Sequence, residues 1–320
     1  VSAKRGSVRT MDIMDDYLKF VSRFKSDYSN LNIAFDLSNG MACLFAHKVF
    51  GDDPSYIFDT IDGTFPNHEP NPLVAKNVEP LKELVRSRKA DIGVIYDGDA
   101  DRVMFVDDKA RFVAPDLLIA LMALYFCDER GEKSPRVLQE IRSSKAVGEF
   151  LESYGAELHT WRVGRAFAAP KLREIDGLWG GELAGHYYFK DFFYSDSGLL
   201  ASMIILRIVS ELKRKGISFS EQIDSMTHYF NSGEINFRLE DKKGAMEGLC
   251  ALFSAQQKPL AVMDFDGYRM EFESWWFNIR PSNTEPYLRF ICEARTEEEL
   301  SQKISQACAY LESEFSAVRS

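Results

Sequence analysis

The stretch Ala90-Asp-Ile-Gly-Val-Ile-Tyr96, followed by Asp97-Gly98-Asp99-Ala100-Asp101-Arg102 and then Val103-Met-Phe-Val106, decides how this chain folds. Its apolar opening predicts a strand over Ala90–Tyr96, and a second strand follows at Val103–Val106. The acidic run between them falls at the carboxyl edge of a strand, where open α/β sheets place ligands. Asp97, Asp99 and Asp101 alternate with the small Gly98 and Ala100, so an extended loop points three carboxylates to one side. Unpaired, they repel one another, and a hard divalent cation such as Mg²⁺ is the natural compensation. An EF-hand is excluded, because Arg102 stands where that loop needs glycine and a strand follows where it needs a helix. Arg102 adjoins the metal and is placed to touch an anion held by it.

Elements alternate outward from this point. On the amino-terminal side a helix is expected at Met11–Tyr28, a strand at Asn32–Leu37, a helix near Ala42–Val49 and a strand near Tyr56–Phe58. The helix Glu79–Arg88 follows, with Pro80 in its first turn. Beyond Asp108 the rhythm repeats: helix Asp116–Cys127, strand Arg136–Ile141, helix Ala146–Tyr154, strand Glu157–Arg162. Next come helix Ala169–Ile175 with Pro170 in its first turn, a glycine-rich turn at Gly177–Gly185, and a long apolar helix at Leu199–Lys213. Strands alternating with helices imply two consecutive α/β domains with mixed, mainly parallel sheets, and the similar element order suggests duplication. The remainder changes order. Strands near Glu234–Leu239, Leu260–Asp264, Gly267–Glu273, Trp276–Arg280 and Tyr287–Ala294, with helices Lys243–Ala255 and Glu297–Phe315, read as a smaller α+β domain with a mainly antiparallel sheet. The division expected is a lead-in over 1–8 and domains at 9–109, 110–216 and 217–320.

The chain has 320 residues, 45% hydrophobic and 13% aromatic. That is enough for two or three cores of roughly 100–150 residues each and speaks against disorder. No apolar run approaches the ~20 residues that cross a bilayer, and the basic stretch VSAKRGSVRT has no apolar segment behind it. The five cysteines are odd in number and form no CxxC pair, so reduced thiols of a cytoplasmic protein are expected. A formal charge of −10 opposes nucleic-acid binding, and any anionic substrate must therefore meet a local cluster of cations.

Two further motifs carry chemistry. In Gly180-Gly181-Glu182-Leu183-Ala184-Gly185-His186 the glycines let backbone approach a ligand, and Glu182 and His186 can accept from and donate to sugar hydroxyls. A glycine turn beside a satisfied core histidine is the other reading. In Arg280-Pro281-Ser282-Asn283-Thr284-Glu285-Pro286, Arg280 can grip a phosphate bidentately while Ser282, Asn283 and Thr284 complete an anion cradle, against the alternative of a plain polar turn. His68, alone in the proline-rich loop Pro66–Pro72, reads as a surface residue.

Together, in this order, the three motifs resemble the α-D-phosphohexomutase superfamily, nearest the bacterial phosphomannomutase/phosphoglucomutase branch. Asp36-Leu-Ser-Asn39-Gly40, the loop Pro66–Pro72, Glu140-Ile-Arg142-Ser-Ser and Val163-Gly164 add to the resemblance. It implies domains two, three and four of a four-domain fold, without the first domain's phosphoserine, which a Thr-x-Ser-His-Asn-Pro loop would mark. It also implies interconversion of hexose 1-phosphate and hexose 6-phosphate through a hexose 1,6-bisphosphate. Asp97, Asp99 and Asp101 would hold Mg²⁺, with Arg102 and His186 as catalytic side chains. Arg142, Arg165, Glu182 and His186 would contact substrate, and Arg280, Ser282, Asn283 and Thr284 its distal phosphate. The phosphoserine domain would come from elsewhere, for example a separate chain. The other outcome is a non-catalytic phosphosugar-binding relic. The chain departs from the family pattern where Arg165 replaces histidine, Ala169 lysine and Ala184 serine, and where Asp196-Ser197-Gly198 replaces Asp-Asp-Gly. All four changes bear on sugar specificity.

Overall fold

The computed structural model describes residues 6–282 and 285–319. Its first sheet holds β1 (Ile33–Asp36), β2 (Ser55–Ile57), β3 (Ile92–Tyr96), β4 (Val103–Asp107) and β5 (Phe112–Val113), in the order β2-β1-β3-β4-β5. The pairs β1–β2 and β1–β3 are parallel, while β3–β4 and β4–β5 are antiparallel. The second sheet holds β6 (Arg136–Glu140), β7 (Glu157–Trp161), β8 (Trp179–Gly181), β9 (Tyr187–Phe189) and β10 (Ser195–Asp196). Its order is β7-β6-β8-β9-β10, again with a parallel trio extended by two antiparallel strands. Strand for strand the two sheets have one topology, so the β3–β4 and β8–β9 hairpins are equivalent.

Every residue of β1, β3 and β4 is buried, which explains their unbroken apolar character. The helix Ala75–Arg88 covers one face of the first sheet through Val78, Leu81 and Val85. It approaches β3 so closely that a Cβ on Gly93 would lie 2.8 Å from Val85 Cγ2. On the other face lies a core common to both sheets, joining Phe35, Val94 and Phe105 to Trp179, Tyr187 and Phe189. The helix Gly198–Arg214 runs through it, buried along most of its length and capped by Ser197, whose Oγ accepts from Leu200 N.

The third sheet has its own core. It comprises β11 (Phe230–Asn231), β12 (Ile235–Arg238), β13 (Ala261–Met263), β14 (Tyr268–Glu271), β15 (Trp275–Pro281), β16 (Leu288–Ala294) and β17 (Val318–Arg319), all antiparallel. The helices Lys242–Gln256 and Glu297–Phe315 cover it with Leu249, Phe253, Ala307 and Leu311. It docks on the second sheet through Arg269, which is 1% exposed and donates to the carbonyls of Ile141 (2.8 Å) and Ser143 (2.6 Å). Val163 N donates to Asp266 Oδ2 at 2.8 Å nearby. No helix among the described residues is long and apolar enough to cross a membrane.

Several elements differ from the sequence expectation. The helices carrying Pro80 and Pro170 begin earlier, at Ala75 and Arg165, so each proline lies inside its helix and forfeits one backbone hydrogen bond. The first helix is shorter, Met14–Ser22. The glycine-rich turn contains strand β8: a Cβ on Gly180 would lie 2.7 Å from the carbonyl oxygen of Leu138, so only glycine fits beside β6. The helix Phe219–Met226, which the sequence division puts with the last unit, packs instead into the core shared by the first two sheets.

Candidate active site

The β3–β4 hairpin brings the first constellation together. One oxygen from each of Asp97, Asp99 and Asp101 lies within 4.8 Å of the others. Asp97 is 2% exposed, and burial pushes its carboxyl up to about 6 although Arg102 Nε donates to its Oδ2 at 2.7 Å. Asp101 Oδ1 is buried without a partner. A buried orphan oxygen beside two further carboxylates makes an all-oxygen donor set that fits a hard divalent cation. The loop is braced from β1. Met41 N donates to Gly98 O at 2.9 Å, and a Cβ on Gly40 would sit 2.6 Å from that same oxygen, so the close approach requires glycine. Ala100 takes the left-handed conformation at φ 62° to close the hairpin.

The equivalent β8–β9 hairpin faces it. Arg102 and His186 form an antiparallel bridge, and Val103 N donates to Gly185 O at 3.1 Å. His186 Nε2 stands 3.5 Å from Asp101 Oδ2 and its Nδ1 2.9 Å from Glu182 Oε2. Burial opposes charge on this imidazole, but the two carboxylates outweigh it and raise its pKa to about 9. Glu182, 2% exposed, also accepts from Gly164 N at 2.7 Å and from the Tyr188 hydroxyl at 3.1 Å. Both of its oxygens are thus engaged by protein donors, more than the sequence reading expected of a sugar-binding carboxylate. Arg165 joins this side through Asp196, Nε to Oδ2 at 2.9 Å.

The second constellation lines a cleft of about 820 Å³ between the second and third sheets, walled by Leu183, Ala184, Arg142, Arg280, Ser282 and Arg289, among others. Arg142 is clamped by Glu140, Nε to Oε1 at 2.7 Å and Nη2 to Oε2 at 2.9 Å. Burial lowers the pKa of Arg142, but Glu140 and Glu234 more than reverse this. Arg280 is 3% exposed with Nε and Nη1 unpartnered. Burial and then the neighbouring Arg142 disfavour its charge. Arg289 stands directly opposite Arg280 across β15–β16. Like charges facing each other across a ladder are unfavourable, and an anion between them removes the penalty. Ser282 shares the cleft; Asn283 and Thr284 lie outside the described residues.

The structure therefore gathers Asp97, Asp99, Asp101, Arg102, Arg165, Glu182 and His186 at one junction, and Arg142, Arg280 and Ser282 at the cleft. Leu183 and Ala184, which follow Glu182 in the β8–β9 hairpin, line the cleft. Sequence reasoning missed Arg289, which the pairing register reveals, and Glu234, which its ion pairs reveal, and misread His68. The His68 side chain is 6% exposed, with Nε2 3.1 Å from Oδ2 of the fully buried Asp36 at the end of β1.

Fold and site define a multidomain α/β protein with a cluster of three carboxylates on one hairpin and buried arginines lining a cleft. Three models of the phosphoglucomutase/phosphomannomutase family match in order: its alpha/beta/alpha domain II over residues 15–110, domain III over 114–229 and C-terminal domain over 234–307. The chain belongs to this family. A phosphomannomutase of Methanocaldococcus jannaschii is 34% identical over 300 residues, covering 92% of this chain and 64% of the relative. A phosphoglucomutase/phosphomannomutase family protein from Burkholderia thailandensis superposes with a TM-score of 0.80 at 24% identity, covering 94% of this chain and 64% of that one. An N-acetylphosphoglucosamine mutase of Aspergillus fumigatus, in complex with GlcNAc-6P and magnesium, gives 0.65 at 15% identity, covering 92% and 68%. The chain thus spans about two thirds of these relatives. The rest of each belongs to the same polypeptide, which gives no support to a phosphoserine domain on a separate chain.

Proposed function

We propose that this chain is the metal-, sugar- and distal-phosphate-binding portion of a phosphohexomutase of the phosphomannomutase/phosphoglucomutase type. The reaction interconverts hexose 1-phosphate and hexose 6-phosphate through a hexose 1,6-bisphosphate. The observation that carries this reading is Arg280, a buried guanidinium with two unpartnered nitrogens opening on a sugar-sized cleft. The proposed division of labour assigns residues 9–109 to the metal, 110–216 to the sugar and 217–320 to the phosphate, apart from the helix Phe219–Met226, which packs with the first two sheets. The seryl phosphate that the reaction needs is supplied by a segment outside this sequence.

Asp97, Asp99 and Asp101 would hold Mg²⁺, which neutralises charge on phosphoryl oxygens. Arg102 stabilises negative charge at the reacting end, Arg142 binds substrate anion in the cleft beside Arg280, and His186 donates towards a sugar or phosphoryl oxygen. Arg165, Glu182 and His186 orient the hexose. Arg280, Ser282, Asn283 and Thr284 anchor the phosphate that does not react, so catalysis here is positioning plus charge stabilisation. A cytoplasmic location suits such substrates. The full engagement of Glu182 favours a second reading, a phosphosugar-binding relic without turnover.

Mutase assays with glucose 1-phosphate or mannose 1-phosphate and catalytic hexose 1,6-bisphosphate, with and without an added serine domain, separate the two. Turnover on addition supports the enzyme. Phosphosugar binding with no turnover in either case leaves the relic.

A further inference from the structure

The arginine cluster contains one carboxylate that the proposed reaction does not use. Glu234, immediately before β12, places Oε2 3.0 Å from Arg142 Nη1 and Oε1 2.8 Å from Arg289 Nη1. Arg142 follows β6 in the second sheet, whereas Glu234 and Arg289 belong to the third. One carboxylate thus spans two guanidiniums across the cleft, as a phosphate does when it bridges arginines. Beside it, Arg280 keeps two nitrogens buried without partners.

The anions around Arg142 are not equally held. Glu140 grips it bidentately and its side chain is 1% exposed, so it cannot withdraw. Glu234 offers one oxygen to each arginine and its side chain is 26% exposed. A phosphate monoester carries up to two charges on three terminal oxygens, so it can satisfy Arg280 and replace the single charge of Glu234.

We propose that Glu234 is a resident anion of the arginine cluster, a positioning residue that the phosphate of an incoming phosphate monoester displaces from Arg142 and Arg289. This deepens the reading of the cleft as a phosphosugar site and rests on it. Displacement removes one ion pair between the second and third sheets and leaves Arg269, bonded to the Ile141 and Ser143 carbonyls on either side of Arg142, as the fixed joint.

The test is calorimetric titration of the full chain, Glu234→Gln and Glu234→Ala with inorganic phosphate and with glucose 6-phosphate, alongside thermal melts. Removing an internal competitor makes phosphate bind tighter, by about threefold to thirtyfold, with the gain shrinking at high salt. A merely structural Glu234 gives the opposite sign, because Arg142 and Arg289 lose the carboxylate that sets them against each other and keep only Glu140 and Glu285. Binding by the unaltered chain with equal or weaker binding by both variants would overturn the inference alone. No binding of either probe by any of the three proteins would overturn it together with the phosphosugar reading.

Discussion

Arg280→Met should make the protein more stable and far worse at holding a phosphosugar. Arg280 is 3% exposed, and its Nε and Nη1 have no partner. Each unsatisfied buried donor costs about 1–3 kcal/mol, so methionine of similar length relieves roughly 2–6 kcal/mol. Against this stand the lost attraction to Asp266, Glu140 and Glu234 and a small packing defect. Relief of the repulsion from Arg142 adds to the gain, and the net expectation is a stabilisation of about 1–3 kcal/mol. At about 2–4 °C per kcal/mol for a domain of 150–250 residues, a rise of several degrees in Tm follows. Losing the phosphate's buried cation costs about 2–5 kcal/mol of binding, roughly 30-fold to several-thousandfold in Kd for a hexose 6-phosphate. Differential scanning calorimetry and isothermal titration read the two effects separately. A lower Tm with undiminished binding would show that Arg280 is a structural ion-pair residue and that the cleft has been misassigned.

Asp99→Ala removes the exposed member of the carboxylate loop and should weaken Mg²⁺ at least about tenfold in a calorimetric titration; unchanged binding would reduce the loop to an acidic turn. Gly40→Ala drives a Cβ to 2.6 Å from Gly98 O and should cost about 1–3 kcal/mol while also weakening Mg²⁺, although residue 40 carries no ligand. A titration indistinguishable from the unaltered chain would mean the loop adjusts freely. Burial, and then the charge of Glu293, push Asp116 up to about 7. An acid whose folded pKa is raised favours the fold when protonated, so that contribution is complete below pH about 4 and lost as pH climbs to about 7. Urea unfolding at pH 5 and pH 8 should show most of this loss, at most about 3 kcal/mol over that interval, and Asp116→Asn should flatten it. The variant also forfeits one acceptor to the Leu117 or Ser144 amide, a pH-independent loss of about 1 kcal/mol, and equal slopes in both proteins would reject the assignment.

What the sequence disclosed depended on how local the physics was. The helix Glu297–Phe315 starts and stops where its pattern says, because Thr296 caps it and three glutamates fill its first turn. Strand β8 was hidden, since glycine carries no strand signal and its reason for being there is the distant Leu138 backbone. The carboxylate loop was legible because all three carboxylates lie within five consecutive residues. Arg289 and Glu234 were not, because their meaning comes from β15–β16 register and from contact with another sheet. His68 gave no signal for the same reason: its partner, Asp36, lies 32 residues away.

The duplicated topology explains why the site sits where it does. In each of the first two sheets the third and fourth strands are joined by a hairpin that opens with a carboxylate and closes with a basic residue. Asp97 pairs with Arg102 at 2.7 Å in one, Glu182 with His186 at 2.9 Å in the other. The closing residues, Arg102 and His186, then bridge one another where the copies meet. The copies are also tied by charge, since His186 Nε2 of one stands 3.5 Å from Asp101 Oδ2 of the other. The junction is therefore held by the same charges to which the proposed cation and anion binding is assigned. The sequence differences between the copies, three aspartates in one and a lone glutamate in the other, underlie the proposed assignment of the metal to the first and the sugar to the second.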